Sequence, residues 1–261
     1  MKIHFLGTCA GTEPMPGRHH TAWILETNDT LYQFDAGESC AYTASAVMKL
    51  DLLKMRAIFI SHPHIDHIGG LPHWYFTIPK LANVRKTNTK FDSINVFLPH
   101  KEIWQHASML DSETLKNTVY LSKVNFQVSE ISDGVIYSDE NIKVEALHNL
   151  HLGIPKDGKW KSFSYRITCE GKSIVFSGDV KSLDDIAPFL ADGCDLLLME
   201  TGHHHPDNVA AAVENYDVSM LGYVHCGRDI LNNYAQSEQA VREIRQNRFF
   251  IAEDATTLEL V

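Results

Sequence analysis

Three histidines and an aspartate fall within six positions of this chain, in the run His62-Pro63-His64-Ile65-Asp66-His67-Ile68-Gly69-Gly70. Imidazole nitrogen and carboxylate oxygen together suit a borderline divalent ion such as zinc, manganese or ferrous iron. The run follows Ala57-Ile58-Phe59-Ile60, an apolar stretch that predicts a buried strand. Donors on the loop that leaves such a strand can be folded toward one point. Pro63 holds the backbone extended between the first two histidines. Gly69 and Gly70 permit a close backbone approach or unusual dihedrals.

The elements that must position these donors are short. Apolar, β-branched runs at 3–6, 22–26, 57–60, 94–98, 124–128, 142–147, 163–168, 173–177, 196–199 and 220–224 predict strands. Helices are predicted at 39–50, 99–110, 183–190, 206–215 and 237–246, the fourth with proline in its first turn. Periodicity alone gives an α/β class. Three of the strands run out into a further metal-capable side chain. One leads to His148 and His151, one to Asp179, and one to His225. A second unusual segment, Glu200-Thr201-Gly202-His203-His204-His205-Pro206, lies between a predicted strand and a predicted helix.

With 261 residues and 44% hydrophobic content, the chain can bury a substantial core. No linker, repeat or low-complexity tract divides it, so one domain over residues 1–261 is expected. Five irregularly spaced cysteines give no disulfide framework, and a reducing cytoplasm is the expected home. No apolar run approaches the length of a membrane span, and no membrane partner is expected. A formal charge of −10 argues against a generally basic nucleic-acid surface. Lys80, Arg85, Lys86 and Lys90 form a small basic cluster, read as a solvated loop.

The pattern His-x-His-x-Asp-His resembles the signature of the metallo-β-lactamase superfamily. Phe5-Leu6-Gly7-Thr8-Cys9-Ala10-Gly11-Thr12, Phe34-Asp35-Ala36-Gly37-Glu38, Phe59-Ile60-Ser61-His62 and Gly70-Leu71-Pro72 are similar to its ribonuclease Z branch, which also contains a cyclic phosphodiesterase. The resemblance covers nearly the whole chain. It implies a four-layer αββα sandwich of two mixed β-sheets flanked by helices.

It also implies a ligand set for two divalent transition-metal ions, zinc first and manganese or iron as alternatives. By that match His62, His64 and His151 hold one ion, Asp66, His67 and His225 hold the other, and Asp179 bridges them. The strand that starts at Val144 leaves His148 and His151 both open. Alignment with the family favours His151. Asp35 matches an aspartate that orients the histidine loop. Glu200-Thr201 matches a pair whose glutamate orients a histidine acid, although Met199 stands where the family often has histidine. For that acid, His203, His204 and His205 are all open, with His204 and His205 favoured.

The implied chemistry is hydrolysis by a metal-bridging hydroxide, with Asp66 holding the nucleophile's hydrogen and a histidine protonating the leaving group. A phosphodiesterase acting on small-molecule or nucleotide phosphodiesters is the expectation. The alternative is a ribonuclease Z-type tRNA 3′-processing endonuclease. That branch commonly carries a long tRNA-grasping arm between its third histidine and its bridging aspartate. Only 27 residues separate His151 from Asp179 here, so tRNA is not expected as a partner. Hydrolysis of a lactam, thioester or other non-phosphate ester fits the same metals. A redox di-iron centre fits less well, because His64 stands where such relatives place a carboxylate. An inactive metal-bound scaffold is the reading from a different class. A homodimer is implied only by analogy.

Arg18, His19 and His20 form a polar cluster that either overhangs a cleft or is hydrogen-bonded structurally. Trp74, Tyr75 and Phe76 read as core-facing helix residues, and Cys226 as packing.

Overall fold

The computed structural model describes residues 1–11, 15–115 and 124–261. Thr12, at the end of the first family-like segment, lies outside the described residues. The chain divides into two compact units. One comprises Met1–Gly7, His19–Ile131 and Asp254–Val261, and the other Thr8–Arg18 and Ser132–Glu253.

The strands of the first unit are β1 (Lys2–Gly7), β2 (Ala22–Thr27), β3 (Thr30–Phe34), β4 (Met55–Phe59), β5 (Ser93–Leu98) and β6 (Asn125–Glu130). The second unit contains β7 (Gly134–Ser138), β8 (Ile142–His148), β9 (Phe163–Cys169), β10 (Lys172–Phe176), β11 (Cys194–Glu200), β12 (Val218–Val224) and β13 (Phe249–Ile251). The last strand, β14 (Thr256–Glu259), returns to the first unit. Each unit holds one seven-stranded sheet, in the orders β14-β1-β2-β3-β4-β5-β6 and β13-β12-β11-β10-β9-β8-β7. Both sheets are mixed. β3 to β6 pair in parallel, as do β10 to β13, and the remaining pairs are antiparallel.

Helices cover each sheet. In the first unit, Leu71–Val84 starts with Pro72 in its first turn, where the missing N–H costs no hydrogen bond. Leu71, Trp74, Ile78 and Ala82 repeat at helical spacing, are fully buried, and join Ile58, Ile60 and Val96 in one core. The helix Lys101–Leu115 adds Trp104 to that core. In the second unit, Pro206–Val213 and Tyr234–Arg245 bury Val209, Val213 and Val241 with Leu197, Leu221 and Tyr223.

The segment 39–50 departs from the single helix expected. It forms one α-turn, Cys40–Tyr42, and a π-turn, Thr43–Val47. The Ser45 hydroxyl donates to the Ala41 carbonyl at 2.7 Å, and Lys49 stops the coil at φ 60°. Trp74 is buried, and Tyr75 packs on Trp104 and Phe126, as the core reading required. Lys80 lies over the Phe76 ring, Arg85 pairs with Asp51 and Lys90 with Asp29. All five cysteines are buried and free. Among the described residues, no helix is long and apolar enough to cross a membrane.

Candidate functional site

Each unit carries its own set of donor side chains. In the first, β4 delivers the chain to Ser61 and His62, and His64 stands just before the one-turn helix Ile65–Ile68 that carries Asp66 and His67. Asp35 fixes this loop. It follows β3 and adopts φ 50°, a left-handed conformation uncommon outside glycine. Its fully buried carboxylate accepts the Ser61 N–H at 2.7 Å, the Ser61 hydroxyl at 2.8 Å and His67 Nδ1 at 2.7 Å. A carboxylate only accepts, so the proton of His67 sits on Nδ1 and its Nε2 presents a lone pair. Asp66 Oδ2 stands 3.5 Å from that Nε2.

The Ser61 hydroxyl hydrogen is committed to Asp35, so its oxygen accepts from His62 Nδ1 at 3.0 Å. His62 Nε2 then faces His64 Nδ1 at 3.0 Å. Two nitrogens bound tetrahedrally to one zinc sit roughly 3.3 Å apart. The His62–His64 spacing fits a shared ion with little adjustment. Gly70 closes the motif, and a Cβ there would come within 2.3 Å of the Gly37 carbonyl.

Replacing Asp35 with alanine orphans three buried donors. Hydrogen bonds to a charged group contribute about 1.5–3 kcal/mol each and are not additive. Urea unfolding is expected to show a loss of at least that size. Metal affinity is expected to fall roughly 10–100-fold. An unchanged midpoint and unchanged metal content would show that Asp35 does not hold the loop.

In the second unit, topology gathers the donors. β10, β11 and β12 are parallel, so their C-terminal ends share one edge, and β8, antiparallel to β9, runs in the same direction. Asp179 follows β10, Glu200 ends β11, His225 follows β12, and His151 follows β8. Asp179 is 1% exposed, with one oxygen 3.7 Å from His151 Nε2 and the other 3.5 Å from His225 Nδ1. Asp179, His203 and His225 offer ligand atoms that all lie within 4.8 Å of one another. His225, like Asp35, sits at a positive φ, 47°. Such backbone strain concentrates at functional sites.

His148 is engaged elsewhere. Its backbone N–H and its Nδ1 both meet the Asp133 carboxylate, at 2.7 and 2.6 Å, and its ring stacks on Trp160 at 3.8 Å. His151 faces Asp179 instead. His148→Ala is therefore expected to leave metal content near normal, and His151→Ala to deplete it. Elemental analysis of both variants checks this, and the reverse pattern would transfer the role to His148.

The triple histidine divides three ways. Glu200, fully buried, accepts the His203 backbone N–H and His203 Nδ1, each at 3.0 Å. His204 Nε2 donates to the Val180 carbonyl at 3.1 Å. His205 pairs with Asp229. The glutamate thus grips His203, whereas the sequence favoured His204 and His205. Burial pushes the Glu200 carboxyl up, but hydrogen bonds from His203 and His225 outweigh it and hold it down at about 2. The same hydrogen bond raises the His203 pKa against its partial burial.

The remaining polar groups are held by hydrogen bonds and ion pairs. Arg18 donates to the Thr8 hydroxyl and the Ala252 carbonyl, each at 2.7 Å. Glu38 accepts from the His20 backbone at 3.0 Å and faces the His19 and His20 rings. Cys226 bridges the Thr8 to Ala10 backbone and is fully buried. Sequence reasoning missed Asp229 and Asp133, for which no local signal exists.

The sequence pattern of the anti-Pycsar protein Apyc1 matches residues 1–252. The chain belongs to the anti-Pycsar protein Apyc1 family. It lies in the ribonuclease Z-like branch of the metallo-β-lactamase superfamily. A ribonuclease Z of Picrophilus torridus is 27% identical over 256 residues, covering 82% of this chain and 75% of that protein. One from Listeria monocytogenes serotype 4b is 31% identical over 191 residues, 71% of this chain, and the chain spans 55% of that relative's length. The structure of human tRNase Z, short form, superposes with a TM-score of 0.71 at 21% identity, covering 99% of each chain. The metallo-β-lactamase fold protein YhfI of Bacillus subtilis gives 0.72 at 15% identity, again over 99% of each. These two show the fold, the αββα class expected from the sequence.

The expectation that tRNA is not a partner is overturned by the same relatives, which are ribonucleases Z and a tRNase Z. A net charge describes the whole chain and not the field at a cleft. A short spacing between His151 and Asp179 removes one grasping element, not the capacity to bind.

Proposed function

We propose that this protein is a metal-dependent hydrolase of nucleotide phosphodiesters with a dinuclear centre. His62, His64 and His151 hold one ion, Asp66, His67 and His225 hold the other, and Asp179 bridges. Each unit alone carries too few donors for two ions, so residues 1–261 act as one catalytic domain in this reading. The observation that carries it is the gathering of Asp179, His225 and a Glu200-gripped His203 at one edge of parallel strands. The donors are imidazoles and carboxylates without thiolates, a set that suits zinc, with manganese or iron as alternatives.

A pair of such ions, when bound, acidifies a water and polarises the phosphoryl oxygen. The rest falls to the protein. Asp66 accepts the hydrogen of the attacking water. His67 is held in one tautomer by Asp35. His203 keeps its Nδ1 proton on Glu200 and gives its Nε2 proton to the leaving oxygen. His204 and His205 are not in this step, because Val180 and Asp229 engage them.

Cleavage of precursor tRNA is the second reading, and the ribonuclease Z relatives favour it. A panel of bis(p-nitrophenyl) phosphate, cyclic nucleotides, a phosphomonoester, a β-lactam and a precursor tRNA, run on metal-loaded protein, tests both. Turnover of phosphodiesters above the monoester is expected. The precursor tRNA separates the two readings. Efficient β-lactam opening with every phosphodiester inert would contradict both.

A further inference from the structure

Three buried polar side chains of the second unit belong neither to the metal donors nor to the proton transfer. Asn149 lies in the turn after β8, Ser164 near the start of β9, and Ser177 directly after β10. All three are buried, the two serines completely. The Ser164 hydroxyl donates to the Ser177 carbonyl, and Asn149 Nδ2 stands 3.1 Å from the Ser164 oxygen. Asn149 Oδ1 accepts the His151 backbone N–H at 3.1 Å. The Ser177 hydroxyl accepts the Glu200 backbone N–H at 3.0 Å and donates to the Gly178 carbonyl at 2.6 Å.

The direction of each bond is fixed. A carbonyl only accepts, so the one hydroxyl proton of Ser164 is spent on Ser177. The Ser164 oxygen then accepts from Asn149, which turns the amide so that its own oxygen faces the His151 N–H. Each hydroxyl donates once and accepts once. A buried polar network satisfied in this way holds one arrangement, because any other leaves a desolvated group unpaired.

We infer that Asn149, Ser164 and Ser177 form a brace that sets His151 and Asp179 against each other. The inference rests on the reading of those two residues as metal donors. His151 lies two residues beyond Asn149, and Asp179 two beyond Ser177. β9 stands between β8 and β10 in the sheet, so the two donor loops continue strands that share no ladder. Ser164 spans that gap. His151 Nε2 and Asp179 Oδ2 are 3.7 Å apart, a separation that the brace holds from below. Asn149, Ser164 and Ser177 are positioning residues, acting on metal affinity through ligand geometry.

The test is titration of metal-free protein with cobalt(II), followed by visible absorption, which reports the geometry of the ligands and needs no turnover. Ser164→Ala and Asn149→Ala are each expected to weaken cobalt binding roughly 10-fold, the lower end of what a supporting partner contributes, and to alter the absorption bands. The double variant is expected to lose little more than the worse single one, because both cut the same connection. Ser162→Ala is the control. Ser162 is equally buried at the same strand end, but its hydroxyl has no hydrogen-bond partner, and wild-type binding is expected. Circular dichroism confirms folding, and Asn149→Ala, in a turn, carries the same expectation if Ser164→Ala does not fold. A lower melting temperature with wild-type cobalt affinity and bands in both folded variants would overturn the inference and leave the metal centre standing. Losses that multiply in the double variant would also overturn it. Absence of cobalt binding by the unaltered protein would remove the metal centre and the brace together.

Discussion

Replacing Asp179 with alanine is expected to strip bound metal and to lower turnover of bis(p-nitrophenyl) phosphate by more than the roughly 10–100-fold that losing a supporting partner costs a metal site. The carboxylate is almost fully buried, and histidine nitrogens approach it at 3.5 Å from His225, 3.7 Å from His151 and 3.9 Å from His203. A carboxylate held among imidazoles is the only anionic donor of that group. Without it the three histidines around it offer no negative charge, and the cost of placing a divalent charge in a buried site rises. His62→Ala is the comparison. It removes a donor whose Nε2 faces His64 Nδ1, and it is expected to reduce one equivalent more than the other. Elemental analysis alongside circular dichroism separates metal loss from unfolding. Full metal content in a folded Asp179→Ala protein would remove Asp179 from the centre.

The second large effect concerns the leaving group. His203→Ala is expected to slow hydrolysis of a nucleotide phosphodiester by roughly 10²–10⁴-fold, the usual contribution of general acid catalysis. Bis(p-nitrophenyl) phosphate should slow far less, because p-nitrophenolate departs without a proton and a sugar alkoxide does not. His204→Ala and His205→Ala should not reproduce this contrast. The Glu200 hydrogen bond raises the His203 pKa, so its acidic form persists above the ordinary histidine range. Activity on the poor leaving group should therefore fall as pH rises through that raised value. Glu200→Gln removes the charge that raises it, and the alkaline limb should move to lower pH. Equal slowing of both substrates, or an alkaline limb that ignores Glu200→Gln, would take His203 out of proton transfer.

How much of this was legible in the sequence depends on how local each feature is. His62, His64, Asp66 and His67 lie within six residues, so their spacing alone announces a donor cluster. Asp179 and His225 were readable because each terminates an apolar run, and parallel pairing of β10, β11 and β12 then places those ends together. The contact between Glu200 and His203 was not readable. Three adjacent histidines are equivalent in sequence, and only the landing point of the Glu200 carboxylate distinguishes them. The choice between His148 and His151 was open for the same reason. Asp133 and Trp160, 15 and 12 residues from His148, engage its ring, and no local pattern shows that. β3 went unpredicted because Thr30–Phe34 is buried on both faces and shows no alternation. β13 has three residues, too few to carry a period.

The central claim is that phosphodiester hydrolysis depends on two metal ions. Its most direct test is a titration of metal-free protein with zinc or manganese, following turnover of bis(p-nitrophenyl) phosphate and bound metal together. The account predicts no turnover in the metal-free protein and a rise that saturates at two bound equivalents per chain. Full activity without metal, or saturation of both signals at one equivalent, would contradict it.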